Sequence, residues 1–75
     1  MERYRNLGGN SSVYSYQIGD SEIVVRFNDG ATYLYTYTST GSMNIEQMKQ
    51  LAINGIGLNS LISRRIKKKY ARRLA

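Results

Sequence analysis

The sequence contains no cysteine, no histidine and no tryptophan. Without cysteine the chain can form neither a disulfide framework nor a zinc knuckle. A metal site would therefore need a cluster of carboxylates, and the acidic residues are scattered. These residues are Glu2, Asp20, Glu22, Asp29 and Glu46. We expect no metal and no other cofactor.

Features of an enzyme active site are also missing. No paired carboxylates are present for acid–base chemistry. Ser63 and Lys67 lie one helical turn apart, but the lysine falls among other cations, where nothing would desolvate it enough to make it a base. We expect a protein that is not an enzyme and has no small-molecule substrate.

Long apolar segments are absent as well. The N-terminal stretch has no run typical of a signal peptide, and residues 23–25 fall far short of the ~20 residues that span a bilayer. We therefore expect a cytoplasmic protein. The 75 residues, 41% of them hydrophobic, suffice for one small domain with a modest core.

Charge is distributed unevenly along the chain. Residues 1–59 contain four cations and all five acids, a net charge of −1. Residues 60–75 contain seven cations and no acid. The overall charge of +6 is therefore a property of the C-terminal segment, while the rest of the chain is nearly neutral.

The chain is expected to fold as one α+β domain. Residues 1–11 are predicted to form a flexible arm, because Gly8-Gly9 and the polar residues after it are a poor start for regular structure. In residues 12–75 we expect a three-stranded antiparallel meander followed by two helices. The helices would pack on one face of the sheet, giving the order βββαα, and the second helix would be basic.

The first hairpin is predicted around Gly19-Asp20, which has the composition of a two-residue type II′ turn. Side chains alternate along an extended chain, so Tyr14 and Tyr16 would share one face. This turn would set Tyr16 opposite Ile23.

The second hairpin admits two turns. Residues 29–30 alone could form a two-residue turn that pairs Val25 with Leu34. Residues 28–30 could instead form a type I turn closed by a left-handed glycine, which pairs Val25 with Tyr33. A slip of one residue exchanges the two faces of a strand. We choose the bulged turn, because it gathers the aromatic residues on one face.

Beyond a polar break at residues 39–42, the hydrophobic period changes to that of a helix. Asn44 with Gln47 resembles a capping box, and Gly55 is placed to end the first helix. The second helix is predicted from near Asn59. The apolar positions at helical spacing are Ile45, Met48, Leu51 and Ala52, then Leu58, Leu61, Ile62, Ile66 and Tyr70.

Several short motifs are shared with a known family. An aromatic residue is followed by glycine three positions on and by tyrosines six and eight positions on (Phe27, Gly30, Tyr33 and Tyr35). The other matching positions are Ser11, Ser12, Ile23, Val25, residues 55–59 and Ile62. Over residues 11–70 the chain resembles the KTSC domain, a bacterial module found alone or appended to some lysyl-tRNA synthetases. The resemblance implies a cytoplasmic RNA-binding module and supplies no catalytic or binding residues.

The C-terminal cations are the candidate nucleic-acid site. They are Arg64, Arg65, Lys67, Lys68, Lys69, Arg72 and Arg73. On a continuous helix they would lie on both sides, so the helix end is predicted to overhang the body or fray. RNA or another anionic polymer is the expected partner, since phosphates attract clustered cations. One alternative is a solvated terminus whose cations interact favourably with the helix dipole. The other is binding to a membrane surface, which we do not expect.

Other features have two interpretations each. The tyrosines are expected to form the core, although a tyrosine-rich sheet could also stack nucleobases. Residues 55–57 could cradle a phosphate or merely cap helices. Val24 and Leu34 would pair on the polar face as a small apolar patch. The leading hypothesis is a non-enzymatic RNA-binding module. The alternative is a protein-interaction module that acts through this patch or through the apolar stripe of the second helix.

Overall fold

Five antiparallel strands form one sheet, and their order in the sheet follows their order in the chain. In the computed structural model, which describes residues 1–75, the strands are β1 (Glu2–Arg3), β2 (Val13–Ile18), β3 (Glu22–Phe27), β4 (Thr32–Thr36) and β5 (Arg72–Arg73). Between β4 and β5 lie α1 (Tyr37–Thr40), α2 (Ser42–Asn54), α3 (Leu58–Leu61) and a π-helical segment (Ile62–Ile66). The α+β class is confirmed, but the predicted βββαα order lacks a strand at each end and one helix.

The N-terminal residues belong to the sheet. Residues 1–11, predicted to be a flexible arm, contribute β1, in which Arg3 lies opposite Ser15 of β2. The next residue, Tyr4, is buried with 4% of its surface exposed. Its hydroxyl oxygen accepts a hydrogen bond from the Leu58 N–H at 3.3 Å. Burial of the Tyr4 ring in the core stabilises the packing of this segment against the rest of the protein. Its glycines did not suggest such packing.

The turn of the β2–β3 hairpin lies one residue later than expected. Tyr16 is opposite Val25, so its predicted pairing with Ile23 is wrong. The Gly19 N–H donates to the carbonyl oxygen of Glu22 at 3.0 Å, which closes the turn at that pair. The pairing therefore shifts by two residues. A shift of two preserves the faces of a strand, and Tyr16 still faces the core.

A bulge near the start of β2 changes one part of the predicted aromatic face. Val13 lies opposite Phe27, whereas Ser15 lies opposite Arg26, which leaves Tyr14 as the extra residue. As a result Val13 is buried, with 2% of its surface exposed, and Tyr14 is 39% exposed. Tyr14 is therefore not a core residue, although simple alternation placed it there.

The β3–β4 hairpin has the predicted bulged turn. Val25 lies opposite Tyr33. The N–H groups of Phe27 and Gly30 donate to the carbonyl oxygens of Ala31 and Phe27, at 2.8 and 2.9 Å. Gly30 has a φ of 91°, a left-handed conformation in which an L side chain is strained. The turn residues thus set the register that gathers Tyr33 and Val25 on the core face.

The helical region begins earlier than predicted. Helix α1 begins at Tyr37, before the expected polar break, and overlaps this break at residues 39–40. Thr36 with Ser39 forms a capping box at its start. The predicted cap at Asn44 is wrong, because this side chain lies within α2 and donates to the Thr40 carbonyl oxygen at 2.9 Å. Gly55 ends α2 in the left-handed conformation, as expected.

The second predicted helix is shorter than its cationic sequence suggested. It ends at Ile66, and Lys67 adopts a positive φ of 51° that redirects the chain. The chain then returns to the sheet as β5, where Arg72 lies opposite Leu34 of β4. The prediction of a basic C-terminal helix that overhangs or frays is therefore wrong for residues 67–75.

Aromatic packing gives the reason for this reversal. The Tyr70 ring lies 4.5 Å from the Tyr33 ring and 6.2 Å from the Tyr35 ring, the latter edge-to-face. A helix continuing past Ile66 rises about 6 Å over the next four residues and would carry Tyr70 beyond this small core. Turning back instead places the ring against two partners.

The hydrophobic core lies between the helices and one face of the sheet. Its buried members are Tyr4, Val13, Tyr16, Ile23, Val25, Tyr35, Ile45, Met48, Ala52, Leu58, Ile62 and Ile66. The opposite face of the sheet carries Val24, Arg26 and Leu34 and is covered by no helix. We call it the open face. The two faces therefore differ sharply in composition, as the alternation along β3 predicted.

Candidate nucleic-acid interface

The seven predicted cations occupy three consecutive parts of the chain. Arg64 and Arg65 lie in the π-helical segment, Lys67–Lys69 form the turn after it, and Arg72–Arg73 form β5. All seven side chains are exposed. The structure thus places them along one continuous stretch of the chain that runs from the helix end to the sheet edge.

No side-chain carboxylate neutralises these cations. The one ion pair in the protein joins Lys49 to Glu46 at 2.9 Å, within α2. Of the seven, only Arg73 uses its side chain in a hydrogen bond, from Nε to the Ala75 carbonyl oxygen at 2.7 Å. The remaining donors are free to bind an external anion, and the positive potential of this segment is not cancelled from within.

Backbone contacts fix the path of the basic segment. The Thr40 hydroxyl donates to the Lys69 carbonyl oxygen at 2.7 Å. The N–H groups of Ala71 and Leu74 then donate to the carbonyl oxygens of Leu34 and Thr32, both at 2.7 Å. The cations therefore project from a segment that is hydrogen-bonded to the body, which reduces the entropy lost when a ligand binds.

Strand β5 sends its two arginines to opposite faces of the sheet, since side chains alternate along a strand. Arg72 lies opposite Leu34 and shares the open face with it. Arg73 lies opposite Tyr33, with its guanidinium carbon 5.6 Å from the centre of that ring. The contact is within the range of a cation–π interaction and orients the side chain.

A second cationic group on the open face was not predicted. The guanidinium carbon of Arg3 lies 4.4 Å from the centre of the Tyr14 ring, and that of Arg26 lies 5.7 Å from it. Neither arginine forms an ion pair. The signal in the sequence was weak, because only the bulge in β2 brings Tyr14 to this face and β1 had no recognisable strand pattern.

Most of the tyrosines belong to the core, as expected. Tyr16 and Tyr35 are buried, with 9% and 1% of their surfaces exposed. Burial is the main reason why the pKa of Tyr35 is raised to about 12, and the nearby hydroxyls of Tyr33 and Tyr70 add to the shift. These rings are therefore unavailable for stacking on a ligand.

Two tyrosines are exposed to nearly the same extent, in different surroundings. Tyr14 is 39% exposed and Tyr37 is 38% exposed. The Tyr37 hydroxyl donates to Glu46 at 2.6 Å, and this hydrogen bond raises the pKa of Tyr37 and lowers that of Glu46. Tyr37 thus lies beside a carboxylate and the Lys49 that pairs with it, whereas Tyr14 lies between two arginines that form no ion pair. Only Tyr14 suits an anionic ligand.

The glycine stretch at residues 55–57 is used for packing. The Leu58 N–H, which a bound phosphate would need, donates to Tyr4. The Gly55 carbonyl oxygen accepts a hydrogen bond from the Leu7 N–H at 2.7 Å, and α3 has only four residues. The capping interpretation therefore accounts for these glycines.

The predicted apolar pair is present on the open face. Val24 lies opposite Leu34, and both side chains are half-buried. Arg72 lies on the other side of Leu34. The patch is therefore small and bordered by a cation.

Comparisons with known proteins leave the family open. No family model matches the chain, and no curated protein or solved structure shows detectable similarity to it. The resemblance to the KTSC domain thus stays a prediction. None of the helices has both the length and the apolar character needed to cross a membrane.

Proposed function

We propose that this chain is a non-enzymatic cytoplasmic module that binds RNA by docking phosphates onto the seven cations of residues 64–73. The observation that supports this proposal is the lack of internal neutralisation. All seven side chains are exposed, and the single ion pair of the protein lies elsewhere, between Lys49 and Glu46. A polyanion supplies the missing countercharge, and the release of its counterions drives association.

The choice of RNA among anionic polymers rests on the resemblance to the KTSC domain. Phosphate contacts alone carry no base information, so the basic segment is proposed to supply affinity and steering rather than sequence preference. It follows that RNAs of different sequence and equal length should bind this segment about equally well.

The expected salt dependence is steep. If four of the cations contact phosphates of a single strand, the slope of log affinity against log salt is about −2.8, which is −0.7 for each contact. A fourfold rise in salt then weakens binding by roughly 50-fold. Binding that depends on apolar contacts instead would change little over this range.

Charge substitution at exposed positions tests the proposal. Arg64→Gln with Lys68→Gln removes two cations whose side chains make no hydrogen bond in the structure. The matched control, Gln50→Glu with Asn54→Glu, lowers the net charge equally on an exposed part of α2. Titration of labelled oligouridine and of a folded tRNA, monitored by fluorescence anisotropy, gives the affinity at several salt concentrations.

The two outcomes are distinct. We expect the tail variant to reduce the magnitude of the slope by about 1.4 and the control to leave it unchanged. Absence of binding by the intact chain at ~50 mM salt would overturn the proposal. Equal slopes for the intact chain and the tail variant would remove the C-terminal cations from the binding site.

The alternative proposal is a protein-interaction module, and self-association is its most direct form. Its support is the pair Val24 and Leu34, half-buried on a face that no helix covers. Apolar patches of this size are common on monomers, so the support is weaker. A dimer in sedimentation experiments that is abolished by Val24→Thr would favour it, and a monomer at every concentration would count against it.

A further inference from the structure

Three side chains on the open face form a cluster that the proposed function does not use. The cluster consists of Arg3 from β1, Tyr14 from β2 and Arg26 from β3. None of residues 67–73 belongs to it. The cluster combines an exposed aromatic ring with two guanidinium groups.

The bulge in β2 builds the cluster. Arg3 and Arg26 both lie opposite Ser15, one from each neighbouring strand, so they share a row across the sheet. Their Cα atoms are about 10 Å apart, because strands are spaced by about 4.8 Å. The bulge adds Tyr14 beside Ser15, and its ring occupies the space between the two arginines. Without the bulge this ring would point into the core.

The hydrogen-bonding capacity of both arginines is unused. Neither side chain forms an ion pair, and neither donates a hydrogen bond to another protein group. Each guanidinium carbon lies close to the Tyr14 ring, at 4.4 Å for Arg3 and 5.7 Å for Arg26. Both guanidinium groups therefore lie within the range of a cation–π contact with the ring, and their N–H groups stay available.

We propose that Arg3, Tyr14 and Arg26 form a stacking site for one unpaired nucleotide of single-stranded RNA. The base stacks on the Tyr14 ring or on the guanidinium plane of Arg3, and the adjoining phosphates accept hydrogen bonds from Arg3 and Arg26. An acidic peptide would satisfy the charges but leave the ring without a partner. This inference rests on the proposed function and adds to it a preference for single strands, which phosphate contacts alone do not provide.

The site is continuous with the basic segment. Arg72 lies on the same open face, two strands from Arg26 and two residues further along. Strand geometry places their Cα atoms about 12 Å apart. The half-buried pair Val24 and Leu34 lies between them. A single strand can thus run across the open face from Tyr14 to Arg72, with both ends held by cations.

Tyr14→Ala tests the stacking contribution, and Tyr37→Ala is its matched control. The two tyrosines are almost equally exposed, but Tyr37 lies beside Glu46. We expect Tyr14→Ala to weaken oligouridine binding by about 5- to 150-fold, the range of one lost base–aromatic stack. Tyr14→Phe should keep the affinity, and Tyr37→Ala should leave it unchanged. Thermal unfolding of each variant verifies that the fold is retained.

An abasic oligonucleotide separates stacking from a purely structural role of the ring. This probe keeps the phosphates and lacks the bases, so Tyr14→Ala should no longer weaken binding to it. Arg26→Gln should reduce the magnitude of the salt slope by about 0.7, whereas Tyr14→Ala should not alter the slope. Arg5→Gln removes a cation outside the cluster and is the control for Arg26→Gln.

The results discriminate this inference from the proposed function. If the intact chain binds oligouridine but Tyr14→Ala binds as tightly as Tyr37→Ala, the stacking site is wrong and the basic segment remains. Equal affinity for an RNA duplex or for polyglutamate would also overturn it. If single-stranded DNA of the same sequence binds equally well, the site recognises unpaired bases of either polymer and stacking is supported. Absence of any binding by the intact chain removes both proposals.

Discussion

The hydroxyl of Thr40 donates a hydrogen bond to the backbone carbonyl oxygen of Lys69, 2.7 Å away. Thr40 is 5% exposed and precedes α2, whereas Lys69 belongs to the turn that carries three of the seven cations. This hydrogen bond joins the helical layer to the basic segment just before β5. The order of that segment should therefore depend on a residue far from it in the sequence.

Replacement of Thr40 tests this dependence. Thr40→Val keeps the shape of the side chain but removes the donor, leaving the Lys69 carbonyl oxygen without its partner. We expect the free energy of unfolding to fall by about 1–2 kcal/mol, measured by urea denaturation. Thr38→Val is the control, since Thr38 is exposed and its hydroxyl makes no hydrogen bond in the structure. Equal effects of the two substitutions would contradict the prediction.

The left-handed glycine of the β3–β4 turn gives a second prediction. A Cβ atom at Gly30 would meet no atom within 4 Å, so Gly30→Ala should act through backbone strain alone. At a φ of 91° this strain should lower the free energy of unfolding by about 1–2 kcal/mol. Gly8→Ala is the matched control, because its Cβ would make only an ordinary contact with Ile56 at 3.7 Å. A loss at Gly8 as large as at Gly30 would show that strain is not the cause.

Burial of Tyr35 should make stability fall in alkaline solution. Its pKa is raised from 10.0 to about 12, mainly by burial, so the folded chain keeps a proton that the unfolded chain loses. This difference in pKa contributes about 3 kcal/mol to the free energy of unfolding. The contribution is fully present below pH 10 and is lost as the pH rises from 10 to 12. Tyr35→Phe should flatten this part of the profile of unfolding free energy against pH. The residual slope reflects other groups, including Tyr37 with its raised pKa.

Tyr14→Phe provides the comparison for this pH profile. Tyr14 is exposed, so removal of its hydroxyl should leave the alkaline loss of stability in place. A profile for Tyr35→Phe that matches both the intact chain and Tyr14→Phe would mean that Tyr35 does not carry the effect.

Local signals in the sequence predicted the parts of the fold that turn chemistry determines. Residues 28–30 could be recognised as a bulged turn, which fixed the pairing of Val25 with Tyr33. Gly55 marked the end of α2 because a left-handed residue favours glycine. In each case a few neighbouring residues contain the whole physical cause.

The parts that were missed depend on contacts between distant residues. Strands β1 and β5 have two residues each and therefore no alternation to recognise. Their positions follow from the burial of Tyr4, which is hydrogen-bonded to the first residue of α3, and from the packing of Tyr70 against Tyr33. Composition does not reveal either contact. The seven cations stay a predicted site, and their arrangement on the fold was not predicted, because the reversal at Lys67 replaced the expected helix.

The packing of Tyr70 should determine whether the basic segment stays bound to the sheet. Its ring contacts the rings of Tyr33 and Tyr35. The next residue, Ala71, donates a hydrogen bond from its N–H to the carbonyl oxygen of Leu34. Tyr70→Ala removes these ring contacts, and because Tyr70 is only half-buried we expect a loss of about 1–3 kcal/mol in unfolding free energy. Tyr70→Phe keeps the ring and should lose much less.

Amide exchange shows whether the effect of Tyr70→Ala is confined to the segment. The N–H groups of Ala71 and Leu74 should exchange faster, while those in the β3–β4 ladder at Val25 keep their protection, since separate parts of a fold can open independently. The proposed RNA binding should persist in this variant, because the seven cations remain, but it should weaken since the released segment must become ordered on binding. Unchanged exchange at Ala71 and Leu74 would mean that Tyr70 does not anchor the segment, and unchanged affinity despite faster exchange would mean that its order does not matter for binding.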